Sequence, residues 1–309
     1  MPRIIPFICL LLSAWGLAAT PAWARDCIGL VAAGTSAYWT ELEAGARRAA
    51  GDLQLELYTR GPTQDGSVEV QLQLQLIDRV LAHGCKALII APAGDAIDTR
   101  IAALRAEGIP TVYVDRSVAG DGAYALVATD NFLAGQLAGQ QLAERLGRGG
   151  RVGVLRLRPG LQSTEERERG FLLAAQSAGL QVVFDTYLGD DRQRIAQALS
   201  EQLPRLDGLF SPNGTSSRAT LVALRQLGKA GQVDFVGFDS GEMLLEALRE
   251  GQIQALLLQQ PQAMGDHAVR LAHRALSGER AVSRLQLLLE PRVLTVRDLA
   301  ETTAPPQTW

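Results

Sequence analysis

Residues 96–116 run Ala96-Ile97-Asp98-Thr99-Arg100-Ile101-Ala102-Ala103-Leu104-Arg105-Ala106-Glu107-Gly108-Ile109-Pro110-Thr111-Val112-Tyr113-Val114-Asp115-Arg116. Ile97, Ile101 and Leu104 recur at the spacing of one helix face. Gly108-Ile109-Pro110 stops that helix, and the β-rich run Thr111–Val114 starts a strand. A charged pair, Asp115-Arg116, stands where the strand gives out. Outward from this unit the pattern repeats. Toward the amino terminus, Ile28–Ala33, Leu53–Tyr58 and Ala87–Ile90 alternate with helical stretches such as Trp39, Leu42, Ala46, Ala49 and Leu53. Toward the carboxyl terminus, Ala125–Ala128 leads to Val152–Leu157, Leu180–Tyr187, Gly208–Ser211, Val233–Phe238 and Ala255–Leu258, with helical segments between. This alternation predicts an α/β protein of two similar, doubly wound parallel-sheet lobes with right-handed crossovers. Val68–Leu76 alternates with period two like a strand, yet Leu72, Leu76 and Val80 share a helix face. Parallel strands on either side need a long crossover there, so the segment is read as helix.

The ends of the chain carry different signals. Arg3, the apolar run Ile4–Leu12 and Ala22-Trp23-Ala24 are the parts of a secretory signal peptide, with cleavage expected after Ala24 and export to the periplasm. Pro6, Gly16 and Pro21 interrupt the apolar stretch, which argues against a membrane anchor. Export removes Cys9 and leaves Cys27 and Cys85 in an oxidising compartment. If the strands that begin beside them are sheet neighbours, the two sulfurs lie within disulfide reach; two inert buried thiols are the other reading. The final residues, 301–309, read as a disordered tail. Over its 309 residues the chain is 47% hydrophobic and 20% charged with a net charge of −3, which excludes a disordered chain and leaves no basic footprint for nucleic acid.

In open parallel sheets ligands bind beyond the carboxyl ends of the strands. Ala33 to Trp39, Ala91-Pro92, Asp115-Arg116, Asn213, Asp239 and Gln259 stand there. Each alone is a weak signal, because loops are polar and an Asp before a helix is often only a cap. Together they are a candidate site.

Five groups of residues follow one another in order: Gly108-Ile109-Pro110 with Asp115-Arg116; Ala128-Thr129-Asp130-Asn131 with Gly135; Arg167 with Gly170-Phe171; Val236-Gly237-Phe238-Asp239; and Gln259 with Pro261 and Gly265. In these, from Ile28 to about Thr295, the chain resembles the ribose/galactose-type periplasmic sugar-binding proteins, which share a core with the ligand domain of LacI-type repressors. The resemblance implies a type I periplasmic binding protein fold with lobes 25–129 plus 260–288 and 130–259 plus 289–300. A three-strand hinge would cross near Thr129-Asp130, Gln259-Gln260 and Leu288-Leu289 and let the lobes close on a ligand. It also implies ligand contacts from Tyr38, Trp39, Asp115 and Arg116 in the first lobe and from Arg167, Asn213, Asp239 and Gln259 in the second. Asp and Arg suit sugar hydroxyls, which both donate and accept. Three ligand positions depart: ribose binders carry Asn where this chain has Ser36 and Ala91, and an aromatic ring where it has Asp190. That exchange turns the expectation from ribose to another monosaccharide or polyol, since an added carboxylate suits more hydroxyls or an amine.

Simpler roles stand beside these. Trp39 or Tyr38 could belong to the core, Asp115 could be a cap, and Thr164–Arg169 reads as a solvated helical start in which only Arg167 points to function. Arg156 and Arg158 would rim the cleft. Catalysis is not expected: His267 and His273 are roughly 120° apart around one helix, and no phosphate loop or nucleophile elbow occurs. No metal or cofactor is expected. A repressor would need a DNA-binding unit where the signal peptide stands. The expectation is a monomer that binds a small polar ligand, foremost a sugar, and serves the membrane permease of an ABC importer; the alternative is a sensor that docks a chemoreceptor or histidine kinase.

Overall fold

The computed structural model describes residues 26–63, 69–281 and 283–301. The expected signal peptide lies outside them, as does the expected 301–309 tail apart from Glu301, which ends a helix rather than starting a disordered segment. No helix among the described residues is long and apolar enough to cross a membrane.

The first part of the chain forms β1 (Cys27–Val31), α1 (Ala37–Asp52), β2 (Glu56–Arg60), α2 (Val70–Ala82), β3 (Ala87–Ile90), α3 (Ala96–Ala106), β4 (Thr111–Val114) and β5 (Ala125–Thr129). The middle forms α4 (Asn131–Leu146), β6 (Arg151–Arg156), α5 (Gln162–Ser177), β7 (Gln181–Tyr187), α6 (Arg192–Gln202), β8 (Gly208–Phe210), α7 (Gly214–Gln226), β9 (Asp234–Phe238), α8 (Glu242–Arg249) and β10 (Ala255–Leu258). The chain ends in α9 (Pro261–Leu276), β11 (Leu285–Leu289), β12 (Arg292–Leu294) and α10 (Val296–Glu301). Two six-stranded sheets result, ordered β11-β5-β4-β3-β1-β2 and β12-β10-β9-β8-β6-β7. Every pairing is parallel except β10 with β12.

Each sheet is covered on both faces, as parallel sheets require. In the first, Leu42, Ala46, Ala49, Met264 and Val269 of α1 and α9 cover one face. Leu76, Ile77, Val80, Ile97, Ile101 and Leu104 of α2 and α3 cover the other. In the second, α4 and α5 contribute Ala134, Leu142 and Phe171, and α6 to α8 contribute Ile195, Leu221 and Leu244 on the opposite face. The paired helices meet at glycines. A Cβ on Gly45 would stand 1.9 Å from the Gln262 carbonyl of α9, and one on Gly135 would stand 1.9 Å from the Arg167 carbonyl of α5.

In the segment with two readings the chain is helix α2 from Val70, and one of its glutamines, Gln73, faces inward. Gln73 is fully buried; its Nε2 donates to the Ala91 carbonyl at 2.8 Å and its Oε1 accepts from the Ala93 amide at 2.8 Å. Strand β2 starts later than the apolar run suggests. Helix α1 continues to Asp52, and Gln54 then takes a left-handed φ of 56°, so pairing begins at Glu56. Because β1 and β3 are neighbours, with Ile28 opposite Ala87, Cys27 and Cys85 meet and form a disulfide.

Between the two sheets the chain passes three times, at β5–α4, β10–α9 and β11–β12. These passages are bonded to one another: the Asp130 amide donates to the Leu289 carbonyl at 2.9 Å, and Gln260 Nε2 donates to the Glu290 carbonyl at 2.8 Å.

Candidate functional site

The third strand of each sheet, β4 and β9, ends in an aspartate with a left-handed backbone: Asp115 at φ 68° and Asp239 at φ 62°. Such a conformation disfavours most side chains and is tolerated best by Asn and Asp, the residue type found at both strand ends.

On the first lobe, Asp115 is held from both sides. Tyr38 Oη donates to its Oδ1 at 2.6 Å and Arg116 Nε donates to its Oδ2 at 3.1 Å. Burial, followed by the negative charge of Asp115 and its hydrogen bond, holds the Tyr38 phenol well above its ordinary range, so it remains a donor. Trp39 packs into the lobe core at 9% exposure, edge-on to Tyr38, with the Arg116 guanidinium 5.8 Å from its ring centre. Of the aromatic pair, Tyr38 is therefore the cleft residue and Trp39 the support beneath it.

The second lobe organises its groups around Arg167, which α5 places in the interior at 3% exposure. Its Nε donates to Asn131 Oδ1 at 2.7 Å, Nη1 to the Pro212 carbonyl at 2.9 Å and Nη2 to Gln259 Oε1 at 3.0 Å. The guanidinium lies 3.7 Å from the centre of the Phe238 ring. Gln259 also accepts from Thr129 Oγ1 at 2.9 Å and donates through Nε2 to Asp239 Oδ1 at 2.8 Å. The Gly214 amide donates to Asp239 Oδ2 at 3.1 Å. Asn213 caps α7, its Oδ1 accepting from the Ser216 amide at 2.9 Å, which leaves its amide protons for other partners.

Burial pulls the Arg167 guanidinium down, and the carboxylates of Asp239 and Asp115 act against it. Burial raises the Asp239 carboxyl, opposed by Arg167 and the Gln259 hydrogen bond and reinforced by Asp115. Charges on opposite lobes thus act on one another, and Asp115, Arg116, Arg167 and Asp239 face one cleft. Two carboxylates and two guanidiniums balance formally. Such a surface suits a neutral ligand whose hydroxyls donate to Asp and accept from Arg.

A family model described as "Periplasmic binding protein domain" matches residues 28–280. The chain belongs to the periplasmic binding protein domain family. Among its relatives is a ribose import binding protein of Bacillus subtilis (strain 168), 30% identical over 220 residues, covering 70% of this chain and 71% of that protein. A ribose import binding protein of Salmonella typhimurium is 28% identical and covers 89% of this chain and 94% of the other. A solved structure of an ABC-type sugar transport system periplasmic component from Hahella chejuensis aligns at a TM-score of 0.78 with 34% identity, covering 87% of this chain and all of that one. An ABC transporter solute-binding protein from Agrobacterium vitis, bound with α-D-tagatopyranose, aligns at 0.81 with 25% identity over 90% and 97% of the two chains.

In this periplasmic binding protein the candidate residues do not all converge. Tyr38, Asp115, Arg116, Arg167, Asp239 and Gln259 come together, with Asn213 beside Gly214 at the start of α7. Ser36 stands exposed at the amino end of α1 without a capping bond from its side chain. Ala91 is fully buried in the first lobe's core, where it serves packing and the Gln73 bond. Asp190 is exposed, next to Asp191, which caps α6.

The reading of Thr164–Arg169 as a solvated helix start requires correction. Thr164, Arg167 and Glu168 are buried; Glu168 accepts from Arg156 Nε at 2.8 Å and from the Leu157 amide at 3.0 Å. The signal was present in the spacing, because Thr164, Arg167, Glu168 and Phe171 share one helix face. Arg156 is accordingly tied to Glu168, with its guanidinium 4.3 Å from the centre of the Tyr187 ring. Asn131 and Thr129 hold Arg167 and Gln259, although their only signal in the sequence was the family pattern itself. Among the described residues Cys27, Glu56 and His83 lie close enough to share a metal ion, but the Cys27 sulfur is bonded to Cys85 and Glu56 is bonded to His83 at 2.7 Å.

Proposed function

We propose that this periplasmic binding protein captures a monosaccharide or polyol between its lobes and delivers it to the membrane permease of an ABC importer. One observation carries the reading: Asp115 and Arg116 from one lobe face Asp239 and Arg167 from the other, a charge-balanced set suited to hydroxyls. The ribose import relatives support the carbohydrate class and the transport role over sensing. The role is binding, not catalysis. We assign residues 25–129 plus 260–288 to one lobe and 130–259 plus 289–300 to the other, with cleavage after Ala24 and a monomer in the periplasm. Ligand contacts to both lobes would favour the closed arrangement over the open one.

A thermal-melt screen of the mature protein against pentoses, hexoses and polyols tests the reading. A ligand present at 100 times its dissociation constant stabilises by about 2.7 kcal/mol. Asp239→Asn, which preserves shape but removes the charge, is expected to abolish the shift. If no sugar or polyol moves the melt while a non-sugar amine or an oxyanion does, the reading is wrong.

A further inference from the structure

Beside the Asp115–Arg167 cluster the cleft opens into a chamber of about 460 Å³. Tyr38, Asp239 and Gln259 line it and belong also to the cluster. The remaining walls come from both lobes: Ala37 and Glu41 of α1, and Ser240, Gly241, Glu242, Leu245 and Arg249 on or next to α8. Leu258 and Pro261 close it at the β10–α9 passage.

Glu41 lies one helical turn after Tyr38, on the same face of α1. Its Oε2 is buried and receives no hydrogen bond from the described residues. An acceptor in that position costs free energy unless a donor meets it. Burial alone raises its carboxyl from an ordinary 4.5 to about 7. Asp239, the other acidic group of the inner wall, is already matched by Gln259 and Gly214. Glu242 and Arg249, of opposite sign, are exposed on the rim. Tyr38 Oη donates its hydrogen bond to Asp115, and α9 contributes Pro261 to the lining. The unmatched group inside the chamber is therefore a carboxyl with apolar neighbours Ala37, Leu245, Leu258 and Pro261.

We infer that this chamber receives an amine-bearing part of the ligand, with Glu41 as its acceptor, so that the protein prefers an amino sugar to the parent sugar. The inference rests on the carbohydrate reading of the adjoining cluster. An ammonium against the half-buried Glu41 carboxyl supplies both a donor and the charge that favours its ionised form, whereas a hydroxyl supplies only the donor. Because a cation favours the ionised carboxyl, amine binding releases a proton from Glu41 below about pH 7. Affinity for the amine therefore falls as pH decreases, while affinity for the neutral parent, whose hydroxyl can donate to the carboxylate or accept from the acid, changes little.

The test measures binding by calorimetry for D-glucosamine, 6-amino-6-deoxy-D-glucose, D-glucose and D-ribose, with wild type and Glu41→Gln. At least one amino sugar is expected to bind about tenfold or more tighter than D-glucose near neutral pH, the size of a hydrogen bond to a charged group. In Glu41→Gln that margin collapses while D-glucose binding stays within about threefold, the variant keeping shape while losing the charge and one acceptor oxygen. In wild type the margin for 6-amino-6-deoxy-D-glucose narrows from about pH 7.5 to about pH 5.5 as Glu41 takes up its proton. If the neutral sugars bind and neither amino sugar gains, or the gain survives in Glu41→Gln, the inference is overturned and the carbohydrate reading stands. If none of the four binds and the wider sugar and polyol screen is also negative, the carbohydrate reading itself has failed.

Discussion

The two lobes present the same positions with different chemistry. Each sheet ends its third strand in a left-handed aspartate and seats a glycine-mediated helix pair beside the chain crossings. In the second lobe the candidate cation is interior: Arg167 is bonded to Asn131, Pro212 and Gln259, and Gln259 to Asp239. In the first lobe the corresponding cation, Arg116, is 21% exposed through its side chain and is bonded to Asp115, its chain neighbour. The second lobe thus ties its polar groups into one interior network, and the first pairs a buried Asp115 with a half-buried Arg116 that a ligand can complete. Preorganising one side lowers the ordering cost of binding, and a looser second side lets the ligand drive closure.

This contrast can be broken most sharply at the two arginines. Arg167→Met removes a buried charge and strands its acceptors, and is expected to cost about 3–5 kcal/mol of folding stability by urea denaturation. Arg116→Met is expected to cost under about 1 kcal/mol while still weakening sugar binding. Equal losses at the two positions would remove the distinction between the lobes.

The first lobe has a covalent tie instead, between cysteines 58 positions apart. Replacing both by Ala is expected to cost about 2–5 kcal/mol, read from the urea midpoint. Thiol labelling of the unfolded, unreduced protein should find no free thiol at these positions. Tyr38→Phe sharpens the comparison on a smaller scale. Losing one hydrogen bond to Asp115 is expected to cost about 0.5–1.5 kcal/mol and leave the second-lobe network untouched.

A further effect is on pH dependence. Glu41 is raised from 4.5 to about 7, so the folded protein holds a proton there that the unfolded chain has lost. Its contribution to stability is therefore most favourable at acid pH and is lost as pH rises from about 4.5 to about 7, then levels off. The difference in urea midpoint between wild type and Glu41→Gln across that window isolates this slope; the absence of any difference would place Glu41 in contact with solvent.

Local rules read much of the fold. Ala87–Ile90, Thr111–Val114 and Ala255–Leu258 are strands at the residues expected, because β-rich runs bounded by turn signals leave little alternative. The start of β2 was not legible, since Leu53, Leu55 and Leu57 alternate whether or not helix α1 has ended. In the site, Asp115, Asp239 and Gln259 could be picked from their places after strands, and Arg167 from the family pattern. Glu168 and Gln73 could not be told from solvated residues by type alone, because burial of a polar side chain depends on partners distant in sequence.

The sequence by itself determined the alternation of strands and helices, the residues at the strand ends and the family, because periodicity and local turn chemistry act over a few residues. Only the tertiary structure decided that Tyr38 faces the cleft while Trp39 supports it from the core, that Ala91 belongs to packing, and that Glu41 stands unmatched beside the site. These are consequences of which surfaces the two lobes bring face to face, and pairwise burial between distant segments is set by packing that no local pattern encodes.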